Sequence, residues 1–444
     1  MTTKKTKSGV SRRTFISAVG AAGAAGAAAT LSGLSAPAVF AQGRRKIRFL
    51  NTETSIDSLR ALKVAAAEYE RVSGTEVVID SVPLGDAFTK VTTSLRSGSP
   101  YDIATLGFVG HVLILAEGGH LVEVNDLTDP YDWGPNILFP INGKNYWYPF
   151  DYNLSWIYYR KDLYDDIGLS VPTTWDEFLS NAQKLNTDKR SGSMYPIGSN
   201  GATNWMSTAF MWADGVDIFD DNWNIVFDQG DNAKSVVKYL DFFAELYKTM
   251  PIGASQASYG EMLSNFASDQ IAHSAYAGRL IEAIERNSPD LADKFGIMPY
   301  MDSSGKGKAV NHGYDGWVVL NTEASEESMK FMRWFTESQF INFLHTAPLH
   351  FQPPRLDIYD DQRWRAHPLI EKYADIIETT QSFLTDPNVR VTSIDTQGPV
   401  PDLRPGKVFE SFAIPEMLQK KCLQGLSSED CLQQAGEAMR KAIA

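Results

Sequence analysis

Residues 46–79, KIRFLNTETSIDSLRALKVAAAEYERVSGTEVVI, carry the pattern that decides the fold class. Lys46-Ile47-Arg48-Phe49-Leu50 reads as a strand. Leu59, Leu62, Ala66, Tyr69 and Val72 then recur at helical spacing over residues 57–72, and Gly74 stops the helix. Val77-Val78-Ile79 is the next strand. Two strands joined by one helix make a βαβ unit, because parallel neighbours need a crossover of that length. Residues 88–95 read as a second helix and Ile103–Leu106 as a third strand. The chain is therefore expected to be α/β, with helices covering both faces of a sheet.

Outward from there, aromatic residues crowd. Residues 145–153, NYWYPFDYN, hold Tyr146, Trp147, Tyr148, Phe150 and Tyr152. Trp156-Ile157-Tyr158-Tyr159 reads as a buried strand that turns at Arg160-Lys161-Asp162-Leu163 into a short helix. Thr174 and Glu177 have capping-box spacing. Residues 232–247 place Val236, Val237, Leu240, Phe243, Leu246 and Tyr247 on one helical face. Residues 323–337 and Ser428–Ile443 read as further helices. Pro353-Pro354 and the run from Pro399 to Pro405 read as rigid crossings, and no repeat of fixed period is visible.

Toward the N terminus, Lys4, Lys5, Lys7, Arg12 and Arg13 precede an uncharged Ala/Gly-rich stretch that ends in small residues at Ala36-Pro37-Ala38 and Ala41. Basic, apolar, small is the order of an export signal, and the adjacent Arg12-Arg13 resembles a twin-arginine signal. The stretch is too weakly apolar to suit a membrane span. Residues 1–41 are expected to be cleaved near Ala41, which places the mature chain in the periplasm. There an oxidising environment favours a bridge between Cys422 and Cys431, with two free thiols as the alternative. Such a bridge closes a short loop and contributes about 2–3 kcal/mol. Gly425 and the Ser427-x-x-Asp430 cap would shape a tight turn between them.

The 444 residues, 43% of them hydrophobic and including 10 Trp, 18 Tyr and 23 Phe, exclude a disordered or fibrous chain. They amount to two or three domains. A net charge of −13 argues against nucleic-acid binding, which needs a basic footprint.

Four segments resemble the solute-binding proteins of ABC importers, in the sugar-binding group that includes maltose-binding proteins. They are Pro100-Tyr101-Asp102-Ile103 through Ala116-Glu117-Gly118-Gly119-His120-Leu121; Tyr148-Pro149 with Trp156 to Leu163, Ile167-Gly168-Leu169 and Pro172 to Phe178; Phe295 to Pro299 with Gly313 to Asn321; and Ser427 to Ala435. The second is the strongest match. The resemblance implies a periplasmic-binding-protein-like type II fold: two α/β lobes around a ligand cleft, joined by crossings near residues 148–151, 311–313 and 348–355. The first lobe would take residues 44–148 and 312–350, and the second 149–311 and 351–444. It further implies a monomer that hands solute to an ABC permease, is exported by the twin-arginine machinery, and needs no cofactor. Two departures stand out. Residues 106–110, LGFVG, lack an acid often found there in the family, and Gly278-Arg279 stands where glycine-tryptophan is often seen.

A neutral polyhydroxyl solute needs flat aromatic faces beside carboxylate, amide and guanidinium groups. Tyr148, Asp151, Tyr152 and Asn153 alternate these types. Asn204, Trp205, Trp212, Tyr276 and Arg279 add more on predicted loops. Asn311, His312, Tyr314 and Asp315 form a third run, whose glycines permit close approach. About half of these residues are expected to be packing, since most tryptophans in such a chain are core. Arg279 could fork onto vicinal hydroxyls, a carboxylate or a phosphate, so a small sugar, a polyol and an anionic sugar derivative all stay open. The acidic run from Asp214 to Asn222 lacks the EF-hand register and reads as a hairpin turn, and no metal site is expected. The competing reading is an exported carbohydrate-active hydrolase using two cleft carboxylates.

Overall fold

The computed structural model describes residues 45–53 and 55–444. Arg12, Arg13 and the expected signal segment lie outside the described residues. Among those described, eleven strands form two mixed sheets. They are β1 (Lys46–Asn51), β2 (Glu76–Ser81), β3 (Ile103–Leu106), β4 (Tyr148–Pro149), β5 (Asn153–Arg160), β6 (His273–Tyr276), β7 (Phe295–Met298), β8 (Tyr300–Met301), β9 (Lys308–Gly313), β10 (Gly316–Val319) and β11 (Val389–Thr392).

The first sheet has the order β2-β1-β3-β10-β4, with β1 parallel to β2 and β3, and β10 antiparallel to its neighbours. The expected βαβ unit is its start. Helix Ile56–Ser73 is capped by the Ser55 hydroxyl, which accepts from the Ser58 N–H, and ends at Gly74 in the left-handed region. It buries Leu62, Ala66 and Tyr69 as the spacing requires, whereas Val72 stays exposed in the last turn. The core of this lobe is built around Trp317 on β10, ringed by Phe49, Tyr148, Phe150, Phe335 and Phe343. Each such ring removes a large apolar area from water, and edge-on packing adds to that.

The second sheet centres on β5. Its first half pairs with β9 and its second half with β6 and β7, all antiparallel, while β11 lies parallel to β9. The expected strand 156–159 thus starts three residues earlier and ends one later. Thr174 caps helix Trp175–Leu185 through the Glu177 N–H, but the Glu177 carboxylate accepts from Thr173 rather than closing a box on Thr174. The Asp220 side chain accepts from the N–H groups of Asn222 and Asn224, forming the turn expected in that acidic run.

The chain passes from sheet to sheet where β4 gives way to β5 and β9 to β10. These two passages bond each other: Phe150 N–H donates to the Asp315 carbonyl (2.9 Å), and Asp315 N–H to Asp151 Oδ1 (2.8 Å). A third segment joins them through Tyr152 N–H to the Gln352 carbonyl (2.9 Å).

The C-terminal hairpin joins helices Ala413–Gln424 and Ser428–Ile443 through left-handed Gly425 and the Ser427 cap, as the sequence suggested. The bridge across it is a correction: Cys422 and Cys431 are both free thiols. Burial pushes Cys422 up to about 12 and raises Cys431 as well, so both act as protonated, small apolar groups in the helix packing.

Candidate functional site

Open α/β sheets bind ligands beyond the carboxyl ends of their parallel strands. In the first sheet Glu53 lies just past β1, and Gly107-Phe108 just past β3. Facing them are the start of β5, the β9–β10 passage, the short helix Gly201–Met206, and the turn from β6 into helix Arg279–Asn287. Between these elements lies a cavity of about 220 Å³. Asn153, Asn204, Trp205, Tyr276, Arg279, Asn311, His312, Tyr314 and Asp315 all line it.

The other four expected contacts do not. The Tyr148 ring is fully buried between Trp133, Trp317 and Phe340, because β4 holds it inside the first lobe's core. Tyr152 is buried too, its hydroxyl donating to the Pro135 carbonyl. Trp212 sits in helix Ala209–Ala213, every residue of which is buried. Asp151 lies behind the cavity, holding the Asp315 N–H at the hinge.

Aromatic rings form one corner of the cavity. Trp205 meets Tyr276 edge-on at 5.5 Å and Tyr259 at 6.0 Å, and its indole N–H donates to the Asn153 carbonyl. Across from it stand amides and acids. Asn204 Nδ2 donates to the Phe409 carbonyl, Asn311 Nδ2 to the Asn204 carbonyl and Thr208 Oγ1, and Asn153 Nδ2 to Asp315 Oδ2. Oδ1 of each of these asparagines is buried and makes no hydrogen bond within the protein, and the same holds for Asp315 Oδ1. Asp395 differs: the Tyr314 hydroxyl donates to one of its oxygens and Ser393 to the other.

Among the described residues, the site is acidic around a single arginine. Arg279 lies 3.9 Å from Glu53. Burial pushes Asp315 up to about 8, helped by repulsion from Glu53 and opposed by Arg279. Asp151 is raised well above the usual carboxylate range by burial and by Asp315 beside it. Burial also raises Glu53 and Glu282, with Arg279 opposing. Burial depresses His312 to about 3 and His350 well below the ordinary histidine value, so both are neutral at pH 7.

The sequence reading missed Leu84, Gly107, Phe108, Tyr259, His350, Ser393, Asp395 and Phe409 in the wall, and Glu53 beside Arg279. Glu53, Gly107, Phe108 and Ser393 had a signal to find them by, their position just past a parallel strand.

Two α/β lobes with a cavity at their junction define a ligand-binding protein of the periplasmic type. The chain belongs to the bacterial extracellular solute-binding protein family, whose model matches residues 53–339. It is 25% identical over 301 residues to an arabinooligosaccharide-binding protein of Halalkalibacterium halodurans, covering 64% of this chain and 66% of that one. It is 25% identical over 326 residues to a mannitol-binding protein of Pseudomonas aeruginosa, covering 68% and 71%. The matches thus span about two thirds of the length of these curated relatives. Its fold is that of a solute-binding protein from Thermotoga lettingae bound with α-D-tagatose, with a TM-score of 0.69 at 20% identity, covering 90% of this chain and 100% of that one. Among the described residues, no helix is long and apolar enough to cross a membrane.

Proposed function

We propose that this protein is the solute-binding component of an ABC importer, taking up a sugar or polyol between its lobes and delivering it to a membrane permease. The observation that carries this reading is the cavity itself, where the Trp205–Tyr259–Tyr276 corner faces the amides and Asp315. Flat apolar faces beside convergent polar atoms match the alternating C–H and O–H surfaces of a carbohydrate. The matched relatives, named for arabinooligosaccharide and mannitol binding, support the same class.

Catalysis is not part of the proposal. Two-carboxylate hydrolysis needs a free acid and a free base across the cavity. Of the carboxylates lining it, Asp395 has both oxygens engaged, and Asp315 is held by the Asn153 amide.

The reading extends to the cell. Arg12-Arg13 would direct twin-arginine export, cleavage near Ala41 would release the chain into the periplasm, and it would act as a monomer. The lobes are taken as residues 44–148 with 312–350, and 149–311 with 351–444. Strands β1 to β3 and β10 fall within the first limits and β5 to β8 and β11 within the second, while β4 and β9 run across them. Titration with a panel of sugars and polyols, followed by tryptophan fluorescence and melting temperature, tests the function. Saturable shifts without turnover of added oligosaccharide are expected, and release of reducing ends would favour the hydrolase instead. Changing Arg12 and Arg13 together to lysine is expected to leave the precursor in the cytoplasm, read by fractionation.

A further inference from the structure

A second, smaller space adjoins the cavity. It measures about 90 Å³ and is lined by helices Val109–Glu117 and Leu403–Glu410. Phe108, Phe409 and Asp395 border both spaces, so the two aromatic rings, 5.6 Å apart, form a shared wall. Both rings are half-buried, and a ring with one side in solvent changes rotamer readily. Asp395 adds no free polar atom to that wall, because the Tyr314 hydroxyl donates to one of its oxygens and Ser393 to the other.

This annex differs in chemistry from the cavity it extends. Ile114, Leu403 and the two phenylalanine rings are its walls, and Gly110 and Gly406 put no side chain into it. His111 also lines it, but its ring lies flat on Phe88, with centroids 4.0 Å apart and 6° between the planes. Burial pushes His111 down to about 4, so it is uncharged at pH 7. Charge stands at the outer mouth, where Lys407 and Glu410 are exposed and Ile114 is 44% exposed. A polar, aromatic chamber is thus followed by an apolar one that opens to water.

We propose that the annex is a subsite for an apolar substituent, so that the ligand is a polyhydroxyl molecule carrying a short alkyl group, as in a propyl glycoside. This rests on the reading of the main cavity as a sugar or polyol site. With the Phe108 and Phe409 rings turned aside, the hydroxyl-bearing part lies against the Trp205 corner and the alkyl part runs between the two helices toward Ile114. A second sugar unit would set hydroxyls against Ile114, Leu403 and the rings, which offer them no partner, and burying an unpaired hydroxyl is costly. An alkyl chain has no such need and gains by leaving water. An aryl ring is too large, since benzene takes an apolar cavity of about 150 Å³. A long chain would pass the half-exposed Ile114 into solvent and gain nothing more.

The test is calorimetric titration of the exported, processed protein with mannitol, maltose and a panel of common hexoses and pentoses. Each of these monosaccharides is supplied free and as both anomers of its methyl, propyl and hexyl glycosides. For one parent sugar, affinity is expected to rise about fourfold for each methylene from methyl to propyl, and to level off before hexyl. Affinity that is greatest for a free sugar, mannitol or maltose, flat along the series, or still rising at hexyl overturns the inference and leaves the importer reading standing. Binding by no member of the panel overturns the reading on which it rests. Ile114→Trp then fills the annex from its exposed side and, with circular dichroism unchanged, should erase the rise from methyl to propyl. A rise that survives in the folded variant overturns the place given to the alkyl group.

Discussion

At Asp315 and at the buried histidines, folding and proton binding are linked in opposite senses. Folded Asp315 keeps its proton up to about pH 8, whereas an unfolded carboxyl releases it near 3.8. Its contribution to the ligand-free protein is therefore fully present below about pH 4 and lost as pH rises toward 8. His273 and His312 act the other way. Burial holds them at about 4 and about 3, while an unfolded histidine takes a proton near 6.5. Their contribution is complete above 6.5 and is lost as pH falls through the range below it, by about 1.4 kcal/mol per pH unit and group. Denaturant melts should show stability falling on acidification below about pH 6. Asp315→Asn should remove the opposing slope between about pH 4 and 8, so that the acid loss becomes steeper. His273 also shows why a lone histidine is poor evidence for a site: its Nδ1 bonds the Gly192 carbonyl and its Nε2 the Tyr164 hydroxyl, deep in the second lobe. Gly278 belongs to this scale too. A Cβ there would fall 1.5 Å from the Leu349 carbonyl oxygen and 2.1 Å from its carbon, so backbone would have to move. Gly278→Ala is expected to cost about 1–3 kcal/mol in a urea melt, as overpacking does, and to weaken ligand binding through its neighbour Arg279.

Among the elements, the helices were the most legible, because an apolar stripe at helical spacing and a capping side chain are written locally. Ser428–Ile443 begins and ends where the sequence placed it, with Ser427 accepting from the Asp430 N–H at 3.1 Å. Ser427→Ala should lower stability by about 1 kcal/mol and leave ligand affinity unchanged, read by urea melts and titration. Strands were legible only where they are long or wholly apolar, as in β1, β3 and β5. The two-residue β4 and β8, and the polar β9 with its Asn311 and His312, carry no alternation; they exist because a neighbouring strand offers them hydrogen bonds. Tyr148 followed from this. Its aromatic, polar setting resembles a binding loop, yet pairing of β4 with β10 turns the ring into the core against Trp317.

For the whole molecule, helix Val109–Glu117 rests against helix Leu403–Glu410 beside the cavity. Phe108 packs on Phe409, and Gly110 lies beside Gly406, where an added Cβ would meet the Gly110 Cα at 3.7 Å. That is ordinary contact for a methyl group and far too little for an indole. Gly406→Trp is expected to hold the lobes apart, raising the ligand Kd by tenfold or more while the melting temperature of the free protein stays close to that of the parent. An unchanged Kd would place the closed arrangement of bound protein elsewhere.

The sequence alone determined the α/β class, the main helices, the likeness to sugar-binding importer components, and half of the residues that line the cavity. Those properties are carried by local spacing and by the order of motifs along the chain. Tertiary structure alone decided which aromatics are walls and which are core, which way the asparagine amides face, and that Cys422 and Cys431 stay thiols. The physical reason is range. A helix stripe or a cap is satisfied within a few residues, whereas the Asn204 amide is oriented by the Phe409 carbonyl, and Tyr314 by Asp395, groups that only the folded chain brings together.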